Sequence, residues 1–500
     1  MKKKRAAERP PGREDFRSSL GEGAFFSLRP WLCLAIVCAV GISTRADVIT
    51  VTNTNDSGPG SLRQALGDTN DGDTINFSVT GTIGLTSGEL LVNKSITISG
   101  RGAEILGVNG NATFRVFHIA PGKIVTISRL TIANGRAFGF YPDNEGAGVL
   151  NQYATVTLDN CTISENVAEN DGGGICNDGT GGAAIMGISN STVSNNFAPY
   201  GGGICNDGRM KGATLLQISN TTLSNNSAGS DAGAILNIAD TKGTATLSNC
   251  TISGNSAQFY GGGIHNVAGL TLSNTTFSDN SANFGGSIAI ANPVIVSIGD
   301  TVLKAGKIGG NIYNDGGTVI SRGYNLTSDN GGGYLNGPGD QINTEPLLGP
   351  LQDNGGPTLT QALLPGSPAI DTGDPNFTPP PFYDQRGPSY DRVKNGRLDV
   401  GSFEVQEPLF TPTPTATATS TPTLTPTATA TAMLTPTPTA ASTATPSVTA
   451  TPTVSATATA TTTVIPTVTP TAKPTSTPRP SPTPRPAVTP RPRPTPPPHP

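Results

Sequence analysis

The residues most able to do chemistry recur at one position of an internal repeat. Four residues before the central apolar residue of each copy, the sequence has acids and aromatics: Glu145, Asp171, Tyr200, Asp231, Tyr260, Phe284 and Ile308. A polysaccharide lyase needs carboxylates that bind Ca²⁺ and a nearby Arg or Lys base, and a glycoside hydrolase needs two or three closely placed carboxylates. This column contains no Arg or Lys, and its acids do not cluster. It therefore predicts no catalytic residue and no metal site.

The same column supports a different hypothesis, a carbohydrate-binding stripe. The stripe consists of Tyr200, Asp231, Tyr260 and Phe284. Tyr200 and Tyr260 lie two repeats apart, which is about 10 Å at the usual strand spacing and close to the length of a disaccharide. The alternative interpretation is a stack of aromatic side chains that packs the turns together and binds nothing.

Other groups give weaker indications of chemistry. Asp178 and Asp207 stand at equivalent positions of adjacent repeats and could bind Ca²⁺, but two carboxylates make a weak site. His265 aligns with Cys205 at a distance of two repeats, about 10 Å, which is too far for a shared zinc ion. Apart from this weak Ca²⁺ hypothesis, no cofactor is predicted.

The elements that position these residues are the units of the repeat. Between residues 145 and 315, a Gly-Gly-apolar-x-Asn unit returns every 24–31 residues. Runs of 3–6 strand-forming residues, bounded by Asn, Gly, Asp and Ser, predict short strands and tight turns. A period of this length is typical of stacked repeats, and no long 3.6-residue apolar pattern favours helices. The prediction is an all-β parallel β-helix in which each repeat forms one rung.

The recurring Asn predicts a structural ladder inside this solenoid. Stacked side-chain amides can hydrogen-bond from rung to rung. The predicted ladder comprises Asn151, Asn177, Asn206, Asn237, Asn266 and Asn314. A second ladder is expected at Asn166, Asn196, Asn226, Asn255 and Asn280. The alternative is that these residues are ordinary surface turns.

Composition divides the chain into four segments. Residues 1–46 predict a secretory signal peptide, because charged residues precede the 12-residue apolar stretch 31–42, which is too short to span a bilayer. An uncleaved anchor is the alternative. Residues 47–335 form the predicted β-helix, and residues 336–407 are non-repetitive. Residues 411–500 are rich in Thr and Pro and predict a disordered tail that acts as a stalk or a soluble spacer.

Charge and cysteines narrow the functional classes further. The segment 47–410 holds 17 basic and 31 acidic residues, which argues against nucleic-acid binding. Cys176 and Cys205 fall at equivalent positions of adjacent rungs, within reach of a disulfide. Cys161 and Cys250 are three rungs apart and too distant to form one.

The end of the solenoid carries the first part of a family resemblance. The segment 61–66 predicts a short amphipathic helix that caps the open end, ahead of a first strand at 72–77. Gly60–Ala65 resembles the CSLREA segment of bacterial exported β-helix proteins, with Gly60 in place of Cys and Gln64 in place of Glu. The repeats resemble the GGxI and FxxN units of polymorphic outer membrane proteins, and Phe277–Asn280 matches the second form.

The C-terminal region carries the more specific part of the resemblance. The segment 353–371, extended by Asp384–Gly387 and Asp399–Glu404, resembles the choice-of-anchor Q domain. This family implies a secreted or surface-attached, right-handed β-helix of the pectin-lyase-like class.

The sequence thus favours a secreted or cell-surface β-helix that is non-catalytic and either adhesin-like or structural. We expect a monomer without a transmembrane span in the mature chain, with a polysaccharide or surface polymer as its partner. The alternative function is a polysaccharide lyase or glycoside hydrolase, so enzymatic activity is left undecided.

Overall fold

The computed structural model describes residues 46–406, except residues 241 and 292. In this part of the chain the strands form four parallel sheets and one antiparallel hairpin. Each strand pairs in parallel with its counterpart one repeat later, as Ile175 does with Ile204. The predicted all-β parallel β-helix is therefore confirmed. The predicted tail and, apart from Ala46, the predicted signal peptide lie outside the described residues.

Sheets 1 and 2 extend over the whole solenoid. Sheet 1 contains Val48–Val51, Thr74–Phe77, Thr97–Ser99, Ile124–Ser128, Thr155–Asp159, Ala183–Ser189, Ala213–Ser219, Lys242–Ser248, Gly269–Ser273, Ile295–Gly299 and Thr318–Gly323. Sheet 2 contains Gly81–Gly84, Leu106–Asn109, Thr131–Ala133, Thr162–Ser164, Thr192–Ser194, Thr222–Ser224, Thr251–Ser253, Thr276–Asn280, Val302–Ala305 and Leu326–Thr327.

Sheets 3 and 4 carry the repeated acids, aromatics and cysteines. Sheet 3 contains Leu90–Val92, Phe117–Ile119, Val149–Gln152, Ile175–Asp178, Ile204–Gly208, Ile235–Ala239, Ile264–Val267, Ile288–Ile290 and Ile312–Asn314. Sheet 4 contains Arg136–Ala137, Val167–Ala168, Phe197–Tyr200, Ser227–Asp231 and Ser256–Ala257. The remaining elements are the helix Leu62–Asp68, the 3₁₀ turn Gly331–Gly333 and the hairpin strands Leu348–Gln352 and Thr360–Leu363.

Alternation along each short strand builds the core. Ile175, Ile204 and Ile235 stack in register with their side chains inside the solenoid and fully buried. Burial of such a side chain contributes about 1.5–3 kcal/mol. Close backbone contact between rungs explains a repeated glycine, since a Cβ on Gly202 would lie 2.3 Å from the Ser227 carbonyl oxygen.

The corner between sheets 1 and 2 adopts the left-handed backbone conformation in most rungs. Asn is the non-glycine residue that tolerates this conformation best. The corner residues with φ of 47–52° include Asn160, Asn190, Asn220, Asn249 and Asn274. The Asn-rich composition therefore reflects turn geometry as well as ladders.

The first predicted ladder is present over five of its six residues. The Asn151 Nδ2 donates to the Asn177 Oδ1 at 2.6 Å, and the Asn177 Nδ2 donates to the Asn206 Oδ1 at 2.7 Å. The same bond continues to Asn237 and then to Asn266, at 2.8 and 2.7 Å. All these residues are fully buried, so they are not surface turns.

The assignment of Asn314 to this ladder is wrong. Asn266 is paired with Ile290, and Ile290 with Asn314, so an isoleucine interrupts the amide column. The Asn266 Nδ2 donates instead to the Ala268 carbonyl oxygen at 2.6 Å. Asn314 bonds within its own turn, to Gly317.

The second ladder makes more hydrogen bonds per rung than the first. In Asn196, both the backbone N–H and the Nδ2 donate to the Asn226 Oδ1, at 3.1 and 2.9 Å. The Asn196 Nδ2 also donates to the Ile163 carbonyl oxygen. The pattern is the same from Asn166 to Asn280. This ladder fastens the corner between sheets 2 and 4.

The N-terminal end is closed as predicted by a short helix, Leu62–Asp68. Leu62, Ala65 and Leu66 are buried, and the Ser61 Oγ caps the helix by accepting from the Gln64 N–H. The prediction that the strand at 72–77 is the first of the solenoid was wrong, because one strand comes before it. Val48–Val51 precedes the helix in the chain and pairs in parallel with Thr74–Phe77. No helix among the described residues is both long and apolar enough to cross a bilayer.

The non-repetitive residues before position 407 pack against sheet 2. The Thr222 Oγ1 donates to the Leu359 carbonyl oxygen, and the Thr251 Oγ1 donates to the Gln385 Oε1, both at 2.6 Å. Apolar residues from both partners form one buried cluster, which contains Val302, Leu326, Leu363, Ala369, Val400, Phe403 and Val405. The C-terminal region therefore covers one face of the solenoid.

The polar residues of the C-terminal motifs hold this region together. The Arg386 guanidinium lies 4.0 Å from the ring centre of Tyr390 and 3.8 Å from that of Phe403, and it is paired with Asp384 at 2.6 Å. The Asp399 carboxylate accepts the backbone N–H groups of Asp371 and Val405. The motifs thus have a structural role.

Candidate functional site

The outer face of sheet 3 forms the floor of a groove. Between the core Ile and the ladder Asn of each rung, one side chain points outward. These side chains stack in register as Leu150, Cys176, Cys205, Leu236 and His265. Four of them form an apolar cluster separate from the core. These four side chains are buried beneath the residues that flank them, whereas His265 is partly exposed.

Two columns of side chains flank this floor. The first wall is the repeat column identified in the sequence: Glu145, Asp171, Tyr200, Asp231, Tyr260 and Phe284. The second wall is Gln152, Asp178, Asp207, Ile238 and Val267. A cavity of about 300 Å³ lies between the walls, lined by Asp171, Tyr200, Asp231, Leu236, His265 and Arg209 among others.

Arg209 corrects the conclusion that no basic group accompanies the acids. This residue follows the strand Ile204–Gly208 on a turn and reaches across the groove. Its Nη2 lies 2.8 Å from the Asp171 Oδ2 and 2.5 Å from the Asp207 Oδ2. Its Nε also donates to Asp207. Two buried carboxylates and one guanidinium thus form a cluster that spans both walls.

The Ca²⁺ hypothesis at Asp178 and Asp207 stays a prediction, and both carboxylates already have other partners. Arg209 hydrogen-bonds both oxygens of Asp207 and supplies the compensating positive charge. Asp178 accepts from the Thr180 Oγ1 at 2.7 Å and from the Tyr141 hydroxyl at 2.9 Å. The two carboxylates therefore fit a divalent cation poorly.

Burial perturbs the acids of the first wall. Desolvation, together with the nearby charges of Asp171 and Asp178, raises the pKa of Glu145 to about 8. Desolvation also raises the pKa of Asp171 to about 6, although the charge of Arg209 opposes the rise. Glu145 is 4% exposed and Asp171 is 2% exposed. At neutral pH the site therefore holds a protonated carboxyl beside an ionised one.

These shifts predict that the folded protein becomes more stable as the pH falls from about 8 to about 5.5. Glu145 and Glu404, both with a pKa near 8, and Asp171 retain protons in the folded state over a range where the unfolded chain has lost them. Unfolding then releases protons, so lowering the pH favours folding. His265, whose pKa is lowered by burial, opposes this below its ordinary pKa of about 6.5.

The check is the thermal unfolding midpoint at pH 8, 6.5 and 5.5. We expect the midpoint to rise across this series and the rise to be smaller in Glu145→Gln, which cannot bind the proton. A midpoint that is highest at pH 8 would contradict the prediction.

Aromatic rings continue the groove towards its C-terminal end. The Tyr260 ring stacks on His265 and on Phe284, each with a centroid distance of 5.2 Å. Phe284 in turn contacts Tyr313 at 5.0 Å. These contacts agree with the alternative interpretation, in which the aromatic side chains pack the turns together. However, Phe284 remains 41% exposed and Tyr200 38% exposed, so ring surface also faces solvent.

Further exposed rings lie beside the first wall and form what we call the aromatic ridge. Its members come from the strands of sheet 4 and the turns next to them, and Phe140 is 91% exposed. The ridge comprises Phe138, Phe140, Phe197, Tyr200, Phe259 and Phe284. Sequence reasoning found two of the six, because the others stand outside the position that was aligned.

Histidines and cysteines also lie along the groove. His118 lies 2.9 Å from Glu89 and 3.1 Å from Gln152. Cys176 and Cys205 oppose each other in register, as predicted, but both are free thiols. They are fully buried, and the pKa of Cys205 is raised to about 12 by burial and nearby carboxylates, against a lowering hydrogen bond from Cys176. Cys161 and Cys250 are also buried free thiols.

Comparison with known proteins gives little beyond the fold. No protein-family model matches the chain, and no curated protein does so. Among solved structures, one described as the crystal structure of pectate lyase Pel9A is similar, with a TM-score of 0.42, 14% identity, and coverage of 73% of this chain and 97% of that one. Another, described as ORF18 of Geobacillus virus E2, has a TM-score of 0.31 and 13% identity, and covers 56% and 61%. The resemblance to the CSLREA, polymorphic outer membrane protein and choice-of-anchor families stays a prediction.

Proposed function

We propose that the protein binds a polysaccharide chain along the groove of sheet 3. The observation that supports this most is the aromatic ridge, whose exposed rings come from several rungs and lie beside a polar cavity. Binding sites for small molecules combine aromatic surface with a few polar groups that fix orientation, and this groove has both. Tyr200 and Tyr260 lie two rungs apart, about 10 Å at the strand spacing, and Phe284 lies one rung beyond Tyr260, so a linear polymer can contact several rings.

We further propose that binding takes place outside the cell and serves attachment. The predicted signal peptide and the Thr/Pro-rich tail support an exported protein displayed on a spacer. An adhesin-like role then follows, in which the groove holds a surface polymer. The ladders and the capped end would keep the groove straight and rigid under load.

Glycan cleavage is a second candidate, favoured by the carboxyl pair of Glu145 and Asp171. A protonated acid beside an ionised carboxylate is what a glycoside hydrolase uses. A lyase is less favoured, because Arg209, the basic residue beside these acids, is already paired with the carboxylates of Asp171 and Asp207. Both acids are almost completely buried, so a substrate could not reach them without a rearrangement. For this reason we prefer binding.

The proposed function predicts that the double variant Tyr200→Ala, Tyr260→Ala loses glycan retention. Each ring contributes about 0.5–1.5 kcal/mol to stacking beyond its buried area, so the loss should be roughly tenfold to a hundredfold in affinity. The measurement is retention of the full chain on immobilised neutral and acidic polysaccharides. The matched control is Phe382→Ala, which removes an exposed ring outside the groove.

The outcomes separate the two candidates. If the double variant is retained like the wild type, the groove is not the binding site. A reducing-end assay on the same polymers, with and without Ca²⁺, tests cleavage. Released product that disappears in Asp171→Asn would replace binding by hydrolysis as the function.

A further inference from the structure

Asp231 differs from the other acids of the groove in how it is paired. Arg209 binds Asp171 and Asp207, and Arg115 binds Glu89 at 2.7 Å. In the described part of the chain, the ion-pair partner within reach of Asp231 is His265. The His265 Nδ1 lies 4.0 Å from the Asp231 Oδ2. That distance is too long for a hydrogen bond. The Asp231 carboxylate therefore lacks a close cationic partner.

His265 does not neutralise this carboxylate at neutral pH. Burial lowers the pKa of the imidazole, and the charge of Asp231 only partly opposes this. The Nδ1 has no hydrogen-bond partner among the described residues. An uncharged imidazole held against Tyr260 leaves the negative charge of Asp231 facing the cavity, where its side chain is 19% exposed.

Aromatic rings flank Asp231 on both sides along the groove. Tyr200 pairs with Asp231 in register in the preceding rung, and the Ala232 N–H donates to the Tyr260 carbonyl oxygen in the next. A carboxylate between two rings, each about 4.8 Å away along the sheet, is the arrangement that recognises an ammonium group. The carboxylate supplies the ion pair, and the exposed Tyr200 ring supplies cation–π attraction, while Tyr260, stacked between His265 and Phe284, bounds the site on the other side.

The other charges of the groove favour the same ligand. The acids of its walls and rim are Glu89, Glu145, Asp171, Asp178, Asp207 and Asp231, and the arginines are Arg115 and Arg209. Both arginines are already paired with carboxylates. Even with Glu145 protonated, these carboxylates outnumber the two guanidiniums, and Arg209, which lines the cavity beside Asp231, is already paired, so a polyuronate would meet repulsion in this cavity.

We propose that the glycan bound by this groove carries free amino groups, and that an ammonium group binds the Asp231 carboxylate between Tyr200 and Tyr260. This inference rests on the proposed glycan-binding function and names the class of polymer, a partly or fully deacetylated amino-sugar chain. The sugar rings lie along the aromatic ridge, and the ammonium group points into the cavity.

The test compares two hexasaccharides that differ only at nitrogen, the glucosamine oligomer and its fully N-acetylated form. Calorimetric titration of the full chain in a mildly acidic buffer, where the amines are protonated, should show at least tenfold tighter binding of the free amine. Raising the NaCl concentration from about 0.05 to 0.5 M should shrink this preference, because salt screens the ion pair.

Variants assign the preference to one residue. Asp231→Asn should remove the preference for the amine and leave binding of the acetylated oligomer within about twofold, whereas Asp231→Glu should keep part of the preference. The matched control is Asp279→Asn, which removes an exposed carboxylate from sheet 2 and should change neither affinity. Unchanged unfolding midpoints show that the variants are folded.

Failures of the two proposals can be told apart. Equal affinity for both oligomers, or tighter binding of polygalacturonate, overturns the amino-sugar inference. The proposal that the groove binds a polysaccharide survives that result if the double variant Tyr200→Ala, Tyr260→Ala abolishes the binding. A preference for the amine that survives Asp231→Asn also overturns the inference. Binding of no oligomer or polymer at all overturns both proposals.

Discussion

Replacing Asn226 by alanine should destabilise the solenoid by roughly 4–6 kcal/mol, because it removes four buried hydrogen bonds at once. The Asn226 Oδ1 accepts from the N–H and the Nδ2 of Asn196, and its Nδ2 donates to Val193 and Asn255. The substitution leaves the buried Asn196 N–H without its partner, and the Val193 carbonyl oxygen loses the amide bond that it accepts in addition to its sheet pairing. Each such orphaned group costs about 1–3 kcal/mol.

The adjacent residue provides the control. Asn225 lies at a corner with a φ of 54°, which glycine adopts without strain. Asn225→Gly should therefore change stability by less than 1 kcal/mol, as surface substitutions usually do. Urea unfolding gives the overall loss, and hydrogen exchange of the peptide containing Asn196 tests its location. Equal unfolding midpoints for the two variants would show that the ladder contributes little.

Replacing Arg209 by methionine should cost roughly 2–3 kcal/mol at pH 7. The substitution leaves the carboxylates of Asp171 and Asp207, which are 2% and 1% exposed, without their cation. Breaking a fully buried pair in this way typically costs about 3–5 kcal/mol. We expect less here, because 43% of the Arg209 side chain is exposed and water can approach the acids after its removal.

The pH dependence distinguishes this loss from simple loss of packing. Lowering the pH from 7 to 5 should restore part of the stability of Arg209→Met, since the unpaired carboxyls can then bind protons. The control is Lys304→Met, which removes the partner of the exposed Asp279 and should cost about 0–1 kcal/mol at either pH. If the two variants unfold at the same urea concentration, the cluster does not stabilise the groove.

The sequence contained enough information for the rungs but not for the groove. Stacked copies of one unit must place equivalent residues above one another, so the core isoleucines and both ladders followed from spacing alone. The prediction for Asn314 was wrong because each amide bonds only to the adjacent rungs. The rung before Asn314 carries Ile290 instead of Asn, so the column is interrupted there. The strand Val48–Val51 was missed because it precedes the repeats and resembles none of them.

Arg209 was missed for a different reason. Its turn lies outside the aligned unit, and its contact with Asp171 crosses from one wall to the other between adjacent rungs. A repeat alignment compares each residue with its own copies and is blind to such diagonal contacts. The segments 172–179 and 201–208 are identical, but Thr180 follows the first and Arg209 follows the second. This difference was the signal in the sequence that could have identified Arg209.

Both amide ladders run in one direction, because each Nδ2 points to the Oδ1 of the following rung. An extra rung with the same Asn could therefore be inserted anywhere within the column, because it would accept from the rung before it and donate to the rung after it. Only the first and last Asn of the column need other partners. Gene duplication could therefore lengthen the solenoid one rung at a time, at about 4.8 Å per event, without redesign of either end. The identical segments 172–179 and 201–208 are consistent with growth of this kind. The length of polymer that the groove spans would then be a property set by copy number.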